Sequence, residues 1–282
     1  MTRMLTVAAI QFAPGLSRDP LEQALILLEE AASGGAQLII LPELFLGPYF
    51  CKTQEEAHFA LARPTNGHPV ISLLSDWARN NGVVLTVSFF ERDGPHFYNS
   101  VAMIDADGAV LGTYRKSHIP DGPGYQEKFY FRPGSAEPNV WETAIGRVGV
   151  GICWDQWFPE VARSMALKGA DVLVYPTAIG SEPNDPSLDT AARWRRAMVG
   201  HAVSNVIPVV AANRVGDEDG QVFYGESFIA GPDGEFLAKL DREETAVVSA
   251  RFDLEAIEKE RAAWGFFRDR RPDLYGPLTE SI

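Results

Sequence analysis

Short, almost wholly apolar runs recur along this chain with amphipathic helical segments between them, and this alternation restricts the fold more than any other feature. Leu5–Gln11 is alternating and β-branched, as a strand requires. Leu21–Ala32 then places apolar residues at helical spacing and stops at Gly34-Gly35, a plausible helix end. Gln37–Leu41 is a short apolar strand closed by Pro42, so the chain opens β-α-β. The spacing next predicts a helix around Val70–Asn80 and a strand over Val83–Glu91. Asn99–Asp105 and Ala109–Tyr114 read as a hairpin through Asp107-Gly108.

The second half repeats the theme. Arg147–Ile152 and Val172–Tyr175 read as strands with a helix, Pro159–Lys168, between them. A helix around Thr190–Asn205 leads to a strand at Ile207–Ala212. Phe228–Ala230, Phe236–Leu240 and Ala246–Ala250 read as closing strands, with turns at Pro232–Gly234 and Asp241–Glu243, and a short helix runs from Asp253. No linker or low-complexity break interrupts the pattern, which predicts a single α/β domain over residues 1–265. With 282 residues, 46% of them hydrophobic, the chain can bury one sizeable core. Residues 266–282 are rich in Arg, Pro and aromatics. They are expected to form a C-terminal arm that packs on a partner subunit.

A formal net charge of −13 argues against nucleic acid or an anionic membrane as the main partner, because both demand basic surface. It suits a cationic ligand, though weakly. No stretch approaches the roughly 18 apolar residues of a membrane span. The apolar run near the start is broken by Gln11 and is too short for a signal peptide. The two cysteines, Cys51 and Cys153, are too few for a secreted disulfide scaffold. Both read as free thiols, and the expected compartment is the cytoplasm.

Cys153 follows a strand ending at Ile152, with Pro159 placed where the next helix begins. A thiol at such a turn stands at the carboxyl edge of a sheet and near a helix dipole, and both features lower its pKa. Read alone, the same residue is more often a small apolar core residue, the commoner fate of a free cysteine. A nucleophilic thiol also needs a base and a group to hold an oxyanion. Two other strand ends offer these. Ile39-Ile40-Leu41-Pro42-Glu43 puts a carboxylate directly after a buried strand, and Leu111–Tyr114 is followed by Arg115-Lys116. Each charge alone reads as an ordinary solvated strand end. Three together matter more, since ligands bind at the carboxyl edge of an α/β sheet.

The segments LPELF, YRKSHIP and GICWDQWFPE resemble, in order, the three motifs of the nitrilase superfamily. TVAAIQFAP and YGESFIAGPDGE also look like family landmarks, so the resemblance covers nearly the whole chain. It implies a four-layer α-β-β-α sandwich, no metal and no organic cofactor, and cysteine amidohydrolase chemistry through a covalent acyl-enzyme. The family's Glu–Lys–Cys set falls on Glu43, Lys116 and Cys153. In that role Glu43 takes the thiol proton and later activates water, while Cys153 attacks the carbonyl carbon. Lys116 and the backbone N–H of Trp154 hold the oxyanion. Glu127, in YQEKFYF, matches a second glutamate carried by many members, which would position Lys116 or the substrate amide. The alternative for Glu127 is a surface charge beside Lys128.

Family membership alone does not name a substrate. Members that act on carbamoylated amino acids tend to carry arginines just after the nucleophile, to bind the substrate carboxylate. Here Trp154-Asp155-Gln156-Trp157 stands in that place. An acidic and aromatic lining suits a cationic tail, with cation–π attraction of about 0.5–2 kcal/mol. The segment YPTAIGSEPNDPSLDT follows a strand and carries Glu182, Asp185 and Asp189 toward the same edge. The lining thus points to a substrate with a cationic tail, and the resemblance implies that it is a small ureido compound. Its ureido group would lie at Cys153 and its ammonium at Glu182, with Asp155 contributing acidity and Tyr49, Trp154 and Ile179 flanking the chain between. The resemblance implies hydrolysis of N-carbamoylputrescine to putrescine, carbon dioxide and ammonia, by a dimer or larger homo-oligomer. Another amidase of the superfamily, or a non-catalytic binding module on the same fold, stays open as an alternative.

Other motifs carry less. Gly149-Val150-Gly151 starts like a dinucleotide fingerprint, but Trp154 stands where its third glycine belongs. Asp217-Glu218-Asp219-Gly220 begins like a calcium loop, yet its twelfth position is Phe228, so it reads as an exposed turn. Ser227 lies in no G-x-S-x-G elbow, and the five histidines show no metal-ligand spacing. His118 either shapes the pocket or is structural. Asp121 has no assigned role.

Overall fold

The computed structural model describes residues 3–16, 18–135 and 139–280. β1 (Met4–Gln11) leads through α1 (Pro20–Ser33) to β2 (Leu38–Ile40), which pairs parallel to β1. α1 starts where Asp19 caps it, accepting from the N–H groups of Leu21 and Glu22 at 3.0 Å, with Pro20 in the first turn. α2 (Pro69–Asn81) feeds β3 (Val84–Asp93), parallel to β2. The chain then doubles back twice, into β4 (His96–Ile104) and β5 (Val110–Arg115).

The second half runs β6 (Val140–Thr143), β7 (Gly146–Val150), α3 (Pro159–Leu167), β8 (Val172–Thr177), α4 (Ala191–Asn205) and β9 (Val209–Asn213). A hairpin of β10 (Val215–Glu218) and β11 (Gln221–Tyr224) follows. β12 (Phe228–Ala230), β13 (Phe236–Lys239), β14 (Ala246–Asp253) and α5 (Leu254–Trp264) come next.

Two six-stranded sheets result, in the orders β14-β1-β2-β3-β4-β5 and β13-β12-β9-β8-β7-β6. Each has three parallel strands at its centre and antiparallel strands on both flanks. Strands buried on both faces read as continuous apolar runs, and the period of two divides each run between two cores. Val7, Ala9, Leu38 and Ile40 turn inward to meet Val148, Val150, Val172 and Val174 of the other sheet. Ala8, Ile10 and Ile39 turn outward beneath Leu28 of α1 and Leu74 of α2. Leu173, Val209 and Ala211 do the same beneath Met165 of α3 and Trp194 and Met198 of α4. The layers are α-β-β-α.

Three elements depart from expectation. β4 begins at His96 rather than Asn99, because Gly94 (φ 56) closes a tight hairpin with β3. β6 was not anticipated, since four residues are too few to display alternation. The exposed turn expected at 217–220 is the tip of the β10–β11 hairpin, with Asp219 and Gly220 at φ 53 and 91. Glu218, however, is buried. It is drawn inward by Arg214, whose Nη2 lies 2.6 Å from its Oε1.

Candidate active site

β5 is antiparallel to β4, which is antiparallel to β3, so β5 runs with the central parallel strands and releases Lys116 at their carboxyl edge. Glu43 follows β2 at the same edge, and Cys153 follows β7 in the other sheet. The Glu43 N–H reaches the Thr177 carbonyl at 3.3 Å, joining the sheets there.

Lys116 Nζ donates to Glu43 Oε1 at 2.8 Å and to both oxygens of Glu127 at 2.9 and 2.7 Å. Asn99 Nδ2 donates to Glu43 Oε1 at 2.6 Å, and Tyr49 OH to Glu127 Oε1 at 2.7 Å. All of these side chains are buried. Glu43 Oε2 has no hydrogen-bond partner among the described residues. Burial works against the Lys116 ammonium, but the charges of Glu127 and Glu43 outweigh it and hold the pKa well above the ordinary value. One ammonium cannot fully offset two carboxylates. Glu127 is pushed up to about 7, by burial first and by the Glu43 charge, against the pull of Lys116.

Cys153 has φ 41, in the left-handed region, and opens a 3-10 turn, Cys153–Trp157. Its Sγ lies 3.6 Å from the Ala178 carbonyl oxygen. The expected thiolate at a helix terminus is not what forms. α3 begins only at Pro159, beyond this turn. Burial, then the charge of Glu43, drives the thiol well above its usual pKa, with Lys116 offsetting only part. A thiol shifted in this direction needs a base if its sulfur is to attack a substrate.

A cavity of about 410 Å³ opens on Cys153, a size ordinary for small-molecule sites. Its wall includes Tyr125, Glu127, Trp154, Trp157, Ile179, Glu182, Leu188 and Arg193. Burial raises the pKa of the half-buried Glu182; an ammonium brought beside such a carboxylate is stabilised by it. A larger groove of about 770 Å³ lies at the opposite edge, where β7 and β8 begin, and it holds neither Cys153 nor Lys116. Among the described residues no cluster of three or more His, Cys, Asp or Glu is placed to hold a metal ion.

Trp154, Ile179 and Glu182 stand on the wall, and the exposed Asp121 sits at the mouth. Two expected wall residues do not. Tyr49 lies behind Glu127, its ring edge-on to Tyr125 and Phe223 at 6.1 and 5.4 Å. Asp155 is fully buried beneath the turn, bonded to Ile152, Tyr114 and His118. Sequence reasoning also missed Asn99, Arg214 and Arg193. Arg193 puts a cation on the cavity wall, and it comes from the first turn of α4. The available signal was register: with Ala191, Trp194 and Met198 facing the core, Arg193 falls on the flank.

Fold and site together define a class, hydrolases that hold a buried thiol beside paired carboxylates and an ammonium on a four-layer sandwich. The chain belongs to the carbon-nitrogen hydrolase family, within the nitrilase superfamily; the family model matches residues 6–262. It is 54% identical to the N-carbamoylputrescine amidase of Solanum tuberosum, over 98% of this chain and 95% of that one. It is 52% identical to the citrullinase of Francisella tularensis over 89% of each. The crystal structure of a carbon-nitrogen hydrolase from Helicobacter pylori G27, 39% identical, matches with a TM-score of 0.91 over 99% of both chains. The expected sandwich is thus the family's fold, and the protein is an enzyme acting on carbon–nitrogen bonds.

Proposed function

We propose that the enzyme hydrolyses N-carbamoylputrescine to putrescine, carbon dioxide and ammonia through a covalent acyl-enzyme. The observation that carries this reading is one cavity with Cys153 at its base and a half-buried Glu182 on its wall. The resemblance to an N-carbamoylputrescine amidase over nearly the full chain supports it.

In this mechanism Glu43 Oε2 takes the thiol proton as Sγ attacks the ureido carbon. Lys116 Nζ and the backbone N–H of Trp154 hold the oxyanion, while Glu127 keeps the lysine in place. The departing nitrogen regains the proton from Glu43, leaving an acyl-enzyme. Glu43 then deprotonates water, which attacks the thioester carbon, and the thiol leaves reprotonated. The carbamic acid released loses carbon dioxide. The ammonium at the far end of the substrate rests on Glu182, flanked by Trp154 and Ile179.

Steady-state kinetics test this. Glu182→Gln should raise KM for N-carbamoylputrescine about tenfold, the ~1.4 kcal/mol of one exchanged charge contact, with kcat and thermal midpoint nearly unchanged. Unchanged KM overturns the ammonium site, and a preference for N-carbamoyl-β-alanine overturns the polyamine substrate. Arg193 favours a second reading, a ureido amino acid such as citrulline, whose carboxylate it would meet. Arg193→Ala separates the two, since it should impair only the carboxylate-bearing compound.

We also place the enzyme in the cytoplasm, on its two free, buried cysteines. No helix among the described residues is long and apolar enough to cross a membrane. A homo-oligomer assembled through the C-terminal arm, residues 266–282, is supported by Leu274 and Leu278, 62% and 64% exposed on it. Residues 281–282 lie outside the described residues. Truncation after Gly265 should lower the mass measured by light scattering; an unchanged mass removes the arm from the assembly.

A further inference from the structure

Cys153 and Lys116 leave different strands of different sheets, yet their reacting atoms have to stay in register. One carboxylate lies between them. Asp155 Oδ2 accepts from the Ile152 N–H at 2.9 Å and from the Tyr114 O–H at 2.8 Å. Its Oδ1 accepts from the His118 N–H at 3.0 Å and meets His118 Nδ1 at 2.7 Å. Ile152 immediately precedes the nucleophile, while Tyr114 and His118 stand on either side of Lys116. The His118 ring also stacks on Phe158, 3.7 Å between centroids, at the far end of the Cys153 turn. The turn is therefore gripped at both ends by the segment that carries the lysine. It needs a grip, because a non-glycine residue at φ 41 relaxes unless its surroundings over-determine it.

We propose that Asp155 is a positioning residue that sets the Cys153 turn against the Lys116 strand end, with His118 as its solvent-facing partner. The chemistry demands a carboxylate. Two backbone N–H groups, of Ile152 and of His118, point at different oxygens of one group. An amide offers one oxygen and one NH₂, so in either orientation a backbone N–H faces another donor. Asparagine thus keeps the shape and breaks the grip on one side. The proposal rests on the catalytic roles given above to Cys153 and Lys116.

The test compares Asp155→Asn and His118→Ala with the wild-type full chain, on whichever ureido or amide compound the wild type turns over fastest. Active sites are counted by stoichiometric alkylation of Cys153 with iodoacetamide. Asp155→Asn should lose about 100-fold in kcat per alkylatable site, the scale of a ~1 Å misplacement, with KM within about threefold. His118→Ala keeps the backbone N–H and loses only the ring, so a drop of about 3–10-fold in kcat at constant KM is expected. Wild-type kcat per site in Asp155→Asn overturns the proposal, as does a rise in KM with kcat intact, which would mark a binding residue. Should Asp155→Asn fail to fold, His118→Ala and Tyr114→Phe decide: a kcat loss at constant KM in either supports the grip, and wild-type kcat in both overturns it. A wild type that ignores N-carbamoylputrescine but cleaves another amide counts against the substrate reading alone.

Discussion

The Glu43 turn and the Cys153 turn each contain a non-glycine residue in the left-handed region, Leu44 at φ 49 and Cys153 at φ 41. Each is held by a buried charged side chain, of opposite sign. Arg214, a donor only, collects the carbonyl oxygens of Glu43, Leu44 and Gly47 at 3.2, 3.0 and 2.8 Å. Asp155, an acceptor only, collects the N–H groups of Ile152 and His118. They differ in where the compensating charge lies. Arg214 is closed off by the buried Glu218, at 3.0 and 2.6 Å, whose other oxygen takes the Tyr49 N–H. Asp155 faces His118, whose side chain is 34% exposed. Glu43 thus sits in a sealed internal frame, while the Cys153 turn stays coupled to the surface. A sealed ion pair should govern stability, and an open one should govern geometry and rate.

Breaking the sealed frame should have the largest effect on stability. Arg214→Met leaves Glu218 buried without its cation and should cost about 3–5 kcal/mol in urea unfolding. A loss below about 1 kcal/mol would dissolve the contrast between the turns.

Glu127, which shares the Lys116 ammonium with Glu43, sharpens the comparison through pH. Its folded pKa of about 7 lies above the ordinary 4.5. Between these values the native state keeps a proton that the unfolded chain has lost, so stability falls as pH rises through that window. The fall is on the order of 3 kcal/mol. Glu127→Gln should flatten that slope in unfolding measured at several pH values; an unaltered slope would assign it to another group.

Asp155→Asn should cost less stability than Arg214→Met, about 1–3 kcal/mol for one buried N–H left unsatisfied, despite its large kinetic penalty. A stability loss equal to that of Arg214→Met would make the two turns alike. The smallest effect is expected far from both. Asp19→Ala removes the α1 cap and should cost about 1 kcal/mol with kcat unchanged, which sets the baseline for an ordinary structural loss.

The order of strands and helices was legible because its causes are local. Caps such as Asp19, the glycine-marked turns and the apolar period of two act over a few residues, and they delivered the strand ends bearing Glu43, Lys116 and Cys153. β6 and the β10–β11 hairpin escaped, since four-residue strands show too little period and Asp217–Gly220 looked like solvent-facing charge. What those strand ends become is not local. The Lys116–Glu43 contact spans 73 residues and the Arg214 grip on Glu43 spans 171. The sequence alone determined which residue types stand at one sheet edge. Only the tertiary structure decided that burial raises the pKa of the thiol, that Asp155 lies beneath the Cys153 turn rather than on the wall, and that Arg193 reaches the cavity. Burial and charge act through space, and segments far apart in the chain supply both.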